Sequence, residues 1–331
     1  MTNLPVEIAA NSQPAVADCW FLAGATASGK TKVGIELAQR LNAEIISLDS
    51  MAVYRDMNIG TAKPSAAERS AVPHHLLDVV PPSEDFSLSD YVDAAHATIA
   101  EIRSRGREVL FVGGTPLYLK ALLRGVYQGP PADWDFRASI ERELASLPLE
   151  ALHQRLQCID PLLAAKLHPN DKRRIVRGLE VFKLTGQRLS HLQTQFDEGQ
   201  PASAVKVFVL SWPREELHHR IDARVESMFA AGLVDEVRGL LAKYGTLSRT
   251  AIQAVGYREV VEELRAEIAT GPALAACIER VKIRTRQFAR RQETWFRALS
   301  ECTPVGMQQF ENPSQAAAAI LSLSAESARA D

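Results

Sequence analysis

A chain of 331 residues, 46% hydrophobic and 24% charged, is long enough to bury a substantial core, as one large domain with an insertion or as two domains. Its formal net charge of −2 excludes an overall polycation, so any site for a polyanion must be local. No stretch approaches a membrane span, no basic residue precedes Lys30 to start a signal peptide, and Cys19, Cys158, Cys277 and Cys302 form no CxxC pair, which predicts a cytoplasmic protein with reduced structural thiols.

Residues 1–17 are polar and alanine-rich without periodicity and read as a disordered tail. Short apolar runs then alternate with amphipathic ones. Cys19–Ala23, Glu44–Leu48 and Val109–Val112 read as strands, and Lys30–Leu41, Ser89–Arg105 (with Ser87 or Ser89 as cap) and Pro116–Leu123 as helices. The pattern breaks at Gln128 and GPPADWD, and helical segments follow to about Phe196 before a strand resumes at Val207–Leu210. From Arg214 the pattern is helical to Arg297, with Gly232, Gly245 and Gly271/Pro272 marking turns. The Ala/Ser-rich end, residues 312–331, reads as a tail, either a last helix or a frayed one. The fold class is therefore α/β: a P-loop NTPase-like parallel-sheet core (18–127 and 206–311) with a mostly helical insertion (128–205) and a helical C-terminal part.

GATASGKT, which is Gly24, Ala25, Thr26, Ala27, Ser28, Gly29, Lys30 and Thr31, satisfies GxxxxGK[ST] between a strand and a helix. Glycines let backbone N–H groups turn toward phosphate oxygens, Lys30 adds a charge, Thr31 can place its hydroxyl on Mg²⁺, and the helix directs its positive end at the anion. The strand at Val109 ends in Gly113, Gly114 and Thr115 without a carboxylate, whereas the one at Glu44 ends in Asp49. Asp49 is open to three roles, metal ligand, general base or helix cap. His74 and His75 have no third ligand at metal spacing.

LDSMAVYRDMNIGTAKP (48–64), VGGTPLYLKALL (112–123), HPNDKRRIVRGLEVF (168–182) and AVGYRE (254–259) resemble the tRNA dimethylallyltransferase family, and the resemblance runs from about Phe21 to Arg297. It implies transfer of a dimethylallyl group from dimethylallyl diphosphate to N6 of the adenosine immediately 3′ of the anticodon (position 37) in tRNAs reading codons that start with U, giving N6-dimethylallyladenosine. The phosphate loop would then hold a departing diphosphate, assisted by Mg²⁺ on Thr31, and Asp49 would accept the proton of a nitrogen whose lone pair is delocalised into the purine. Thr115 joins Asp49 and Thr31 among the catalytic positions, and Arg224, in RIDARVESMFAAGLVDEV, either reaches the diphosphate or pairs within its own helix.

The resemblance also implies contacts with a tRNA anticodon stem-loop, whose adenosine must leave its stack. The positions are Asp49, Ser50, Met51, Ala52, Thr115, Arg137, Arg173, Arg174, Ile175, Val176, Arg177, Gln253, Ala254, Val255, Gly256, Tyr257, Arg258, Arg290, Arg291, Gln292, Glu293, Thr294, Trp295, Phe296 and Arg297. Two basic runs support this independently. Residues 166–191 hold seven Lys/Arg against two acids, and so do residues 278–297, where Arg286, Arg290 and Arg297 share a helical face. A solvated surface is the plain alternative for each run, and a place in the core the favoured one for Trp295 and Phe296. Ala25 stands where the family commonly has proline and Ala52 where glutamine is frequent, and no C-terminal zinc finger is present, so the resemblance is to the compact bacterial type, expected as a monomer. A small-molecule kinase, the rival enzyme, has no need of two basic segments, and an RNA-binding module has none of a phosphate loop.

Overall fold

The computed structural model describes Val16 and residues 18–127, 129–193, 205–266 and 271–330, without the side chains of 327–330. Apart from buried Val16, the expected N-terminal tail lies outside the described residues. The chain divides into two compact units, Met1–Leu123 with Gly199–Asp331, and Arg124–Glu198.

The larger unit holds six parallel strands: β1 (Trp20–Gly24), β2 (Ala43–Leu48), β3 (His74–His75), β4 (Glu108–Gly113), β5 (Lys206–Ser211) and β6 (Thr303–Gly306). Their order is β3-β2-β4-β1-β5-β6. The central strands are buried nearly end to end, because a parallel sheet is covered on both faces and neither face can carry polar side chains. On one face α1 (Lys30–Leu41) turns Val33, Leu37 and Ala38 onto Trp20, Leu22, Ile45, Leu110 and Phe208. On the other, α3 (Leu88–Ser104) starts at a Ser87–Asp90 capping box, and its Tyr91 stacks on Tyr118 of α4 (Pro116–Arg124) while donating to Ser47 O at 2.9 Å. Of the two candidate caps, Ser87 is the one used.

A short α2 (Ala66–Ala71) precedes β3. Past β5, α10 (Arg214–Ala230), α11 (Leu233–Tyr244), α12 (Tyr257–Arg265) and α13 (Pro272–Arg297) share a core with Val53, Tyr54 and Met57. Gly232, Gly245 and Gly271 bound these helices where turns were expected.

Two strands depart from the expectations. β3 is two residues long and β6 four, too short to show alternation in sequence. Of the two alternatives for the last segment, the structure has the helix: α14 (Pro313–Ala330) buries Ala316, Ala317 and Ile320 against the α1 face. Burying one isoleucine side chain contributes about 1.5–3 kcal/mol, enough to hold an alanine-rich helix in place.

The smaller unit contains α5 (Trp134–Glu143), α6 (Leu149–Ile159), α7 (Pro161–Lys166), α8 (Lys172–Thr185) and α9 (Leu189–Leu192). Ile140, Leu152, Leu156, Ala164, Leu167, Ile175, Val176 and Leu179 form its own core.

Candidate active site

Four strand ends meet at one edge of the sheet. Gly113 of β4 lies opposite Leu48 of β2 and Ala23 of β1, while Gly24 lies opposite Leu210 of β5. This register brings Asp49, Thr115 and the loop Gly24 to Thr31 together at the carboxyl edge, where open parallel sheets assemble ligand sites.

The loop turns on small residues. Gly29 takes φ 92° just before α1, and Ala27 takes φ 63°, a left-handed conformation that costs an alanine roughly 1–2 kcal/mol. The Ser28 N–H donates to Ala25 O at 3.3 Å and closes the turn. No side chain caps α1, so its first amides are left for an anion. The buried Ser28 hydroxyl has no hydrogen-bond partner among the described residues. The Thr31 hydroxyl also makes no hydrogen bond to a described residue.

Two cations converge on this loop without a carboxylate partner among the described residues. Lys30 Nζ donates to Ala25 O at 2.7 Å, and burial lowers its pKa to about 7, with Arg224 pushing the same way and Asp49 opposing. Arg224 of α10 donates from Nη1 to Thr26 Oγ1 at 3.4 Å; burial lowers its pKa too, against the raising effect of Asp49. It forms no salt bridge within its helix, so of its two expected roles the structure supports proximity to the loop. Neighbouring desolvated cations repel each other, and a bound anion would relieve that repulsion.

Asp49 divides its two oxygens. Oδ1 accepts from the N–H of Met51 at 2.8 Å and, more weakly, of Ala52 at 3.4 Å, shaping the turn after β2, while Oδ2 bonds no described residue. The turn-capping role and a proton-accepting role are therefore compatible. Thr115 Oγ1 accepts from Ser50 N–H at 3.0 Å and donates to Ser50 Oγ at 3.4 Å, and its own N–H donates to Leu48 O at 3.1 Å, so it ties the β4 end to the Asp49 turn. Gly114 has no room for a side chain: a Cβ would sit 2.7 Å from Gln292 Nε2 and 3.2 Å from Gly24 O.

Three residues outside the motif hold the loop from behind. Gln292 Oε1 accepts from Thr26 N–H at 2.9 Å, and its Nε2 donates to Gly114 O. Arg220 Nε donates to Ala27 O at 2.9 Å, and Trp212 Nε1 donates to Ser28 O at 2.9 Å. Of the three, only Gln292 was among the expected site residues, and there as an RNA contact; Arg220 lies four residues before Arg224 and hence on the same helical face. Beside Ala25 opens a cavity of about 740 Å³, with Leu217, Ile283 and Phe296 on its wall together with Arg214, Arg290 and Arg297.

The expected RNA-facing positions differ in exposure and in partners. Ile175 and Val176 fill the core of the smaller unit, and Arg137 and Arg177 both bind the fully buried Glu180. Arg174 pairs with Asp171, and exposed Arg173 has no acidic partner among the described residues. Tyr257 is buried, donating to Glu236 Oε1 and accepting from Gly60 N–H, while Ala254 and Gly256 are buried beside it. Gln253 and Arg258 are exposed and Val255 partly so; Arg258 pairs with Glu262. Ala52 is buried, Ser50 and Met51 partly exposed. On α13, Gln292 and Phe296 face inward, whereas Arg290, Arg291, Thr294, Trp295 and Arg297 are exposed and Glu293 is partly so. The core reading holds for Phe296 and fails for Trp295. Of the seven cations counted there, Arg280, Lys282, Arg284 and Arg286 pair with Glu263, Glu226 and Glu279, Glu259 and Asp222. His75 pairs with Glu44, and no group of three or more His, Cys, Asp or Glu suited to a metal occurs among the described residues.

Residues 52–299 match the model of a family described as IPP transferase. A tRNA dimethylallyltransferase of Rhodopirellula baltica is 47% identical over 309 residues, 91% of each chain. One from Syntrophobacter fumaroxidans is 47% identical over 282 residues, 85% of this chain and 81% of the relative. The crystal structure of the full-length tRNA isopentenylpyrophosphate transferase from Bacillus halodurans superposes with a TM-score of 0.67 at 38% identity, covering 95% of this chain and 98% of that one. A eukaryotic dimethylallyltransferase, in a structure described as acting on tRNA, gives 0.72 at 30% identity, covering 92% and 78%.

Proposed function

The chain belongs to the IPP transferase family, and we propose that it transfers a dimethylallyl group from dimethylallyl diphosphate to N6 of the adenosine immediately 3′ of the anticodon in tRNAs that read codons starting with U. The observation that carries this reading is the pair of cations without a carboxylate partner among the described residues, Lys30 and Arg224, at the same carboxyl edge of the sheet as a carboxylate with one uncommitted oxygen. One side suits a departing polyanion, the other a departing proton.

The bond from the allylic carbon to the diphosphate oxygen breaks as a bond from N6 to that carbon forms. Negative charge grows on the diphosphate, where the loop amides, Lys30 and Arg224 are already oriented and need no reorganisation. The proton of N6 passes to Asp49 Oδ2, while Oδ1 stays bound to the Met51 amide and keeps the carboxylate from rotating. Thr115 holds the Asp49 turn against β4 and so fixes the distance between base and leaving group. The residues fit magnesium, which takes one or two protein ligands and completes its shell with phosphate and water; the unpartnered Thr31 hydroxyl is the available protein ligand. When bound, the ion supplies a Lewis acid that shares the leaving group's charge. Arg290, Arg291 and Arg297 are the cations of α13 left for RNA phosphates.

Incubation with labelled dimethylallyl diphosphate, Mg²⁺ and unmodified tRNA is expected to place label on that adenosine. A folded protein that turns over neither substrate refutes the assignment.

A further inference from the structure

We infer that Gln292, Arg220 and Trp212 are positioning residues of the diphosphate cradle, acting through the loop backbone rather than on RNA or on substrate. The inference rests on the reading of the loop as a diphosphate site. Each residue binds a different peptide group of the loop: Gln292 the Thr26 N–H, Arg220 the Ala27 carbonyl and Trp212 the Ser28 carbonyl, all at 2.9 Å.

In a trans peptide the C=O and the following N–H point in opposite directions, so holding a carbonyl from one side aims the next amide to the other. With the Ser28 oxygen held by Trp212, the Gly29 N–H is directed away from the indole, toward the start of α1. The Ala27–Ser28 peptide is held at both ends, its oxygen by Arg220 and its N–H by Ala25 O. Ala27 is the residue whose φ of 63° disfavours an alanine, so the bond to its carbonyl opposes relaxation of the loop to an ordinary conformation. The Arg220 guanidinium also lies 4.4 Å from the centroid of the Trp212 ring, so the two donors fix each other.

Gln292 acts differently. Buried on α13 and 266 residues from Thr26 in sequence, it accepts from the loop and donates to Gly114 O, bridging the ends of β1 and β4. Its side-chain amide does both at once, whereas a carboxylate has no donor for Gly114 and a leucine has neither function. The family resemblance places Gln292 among RNA-facing residues, and its geometry assigns it to the phosphate side instead.

Binding of inorganic pyrophosphate with Mg²⁺, measured by calorimetry on the full chain, tests this without prenyl chemistry or tRNA. Trp212→Phe, which removes one hydrogen bond, and Gln292→Leu, which removes one to the loop and one to Gly114, are each expected to weaken pyrophosphate binding about tenfold or more, and to raise KM for dimethylallyl diphosphate while leaving the Kd for tRNA unchanged. Trp212→Phe retains the ring beneath Arg220 and guards against a variant that fails to fold. Unchanged pyrophosphate affinity in both variants, with the unaltered protein binding normally, overturns the inference, as does a Gln292→Leu defect confined to tRNA affinity. No pyrophosphate binding by the unaltered protein overturns the cradle reading itself and the inference with it.

Discussion

The phosphate loop and helix α13 are both rich in positive charge, yet they hold it in opposite ways. At the loop, Lys30 and Arg224 are desolvated and paired with no carboxylate among the described residues, and their pKa values are lowered. Along α13, four of seven cations are matched by acids, Glu263, Glu226 and Glu279, Glu259 and Asp222, and the three that no described acid matches, Arg290, Arg291 and Arg297, gather at its C-terminal end. The difference teaches that a count of basic residues measures nothing about available charge. An enclosed cation without a partner marks a ligand site, because its desolvation is offset only when an anion arrives. An exposed cation beside an acid is chiefly structure and contributes little.

The largest expected effect falls on the loop side. Asp49→Asn retains an acceptor for the Met51 amide and removes the base, so kcat is expected to fall by about 10² to 10⁴ with little change in tRNA affinity. Near-normal turnover would leave the two cations without an opposing catalytic group and break the contrast.

The smaller unit carries the paired arrangement to its extreme. Burial alone would raise the pKa of Glu180, but hydrogen bonds from Arg137 and Arg177 hold it below the usual carboxylate range. Glu180→Ala leaves two partly covered guanidinium groups unmatched and is expected to cost about 2–4 kcal/mol in denaturant unfolding. Because the folded pKa is depressed, the stability Glu180 contributes is fully present above its unfolded pKa and is lost as pH falls through the folded one. An unchanged midpoint on acid titration of the variant and the parent would deny the pair a structural role.

A pH series sharpens the loop side further. Lys30, with a pKa near 7 when no anion is bound, must take up a proton as diphosphate binds, since the polyanion raises that pKa. Affinity for pyrophosphate is thus expected to weaken as pH rises above about 7, by at most tenfold per unit, and to be flat below it. A flat profile from pH 7 to 9 counts against a neutralised Lys30.

The smallest effects separate the two ends of α13. Arg290→Ala with Arg297→Ala should weaken tRNA binding and make its dependence on salt shallower, by about one ion for each phosphate the protein no longer engages. Arg280→Ala, whose charge Glu263 already engages, should leave both the affinity and the salt dependence close to those of the parent.

Much of the fold was legible because its signals are local. The strands at Cys19, Glu44, Val109 and Val207 are apolar runs that a parallel sheet demands, and their ends in the structure lie within a residue or two of those expected. Asp49 and the loop were legible for the same reason, since each follows a strand within a few residues. β3 and β6 were not, being too short to carry a period, and α14 was legible only as one of two alternatives, since its alanines say little until α1 supplies a surface. The expected RNA-facing positions were given only as stretches, and within them Ile175, Tyr257, Gln292 and Phe296 turn inward.

By itself, then, the sequence determined the phosphate loop, the acid at the end of a second strand, the alternation of strand and helix, and the family. These depend on which residues lie next to one another along the chain. Tertiary structure alone decided which cations remain unpaired, which oxygen of Asp49 is uncommitted, and that Gln292 braces a loop 266 residues away. Those outcomes depend on solvent exclusion and on partners brought from distant helices, and a charge or a hydrogen-bonding group acquires its role only when its neighbours in space are known.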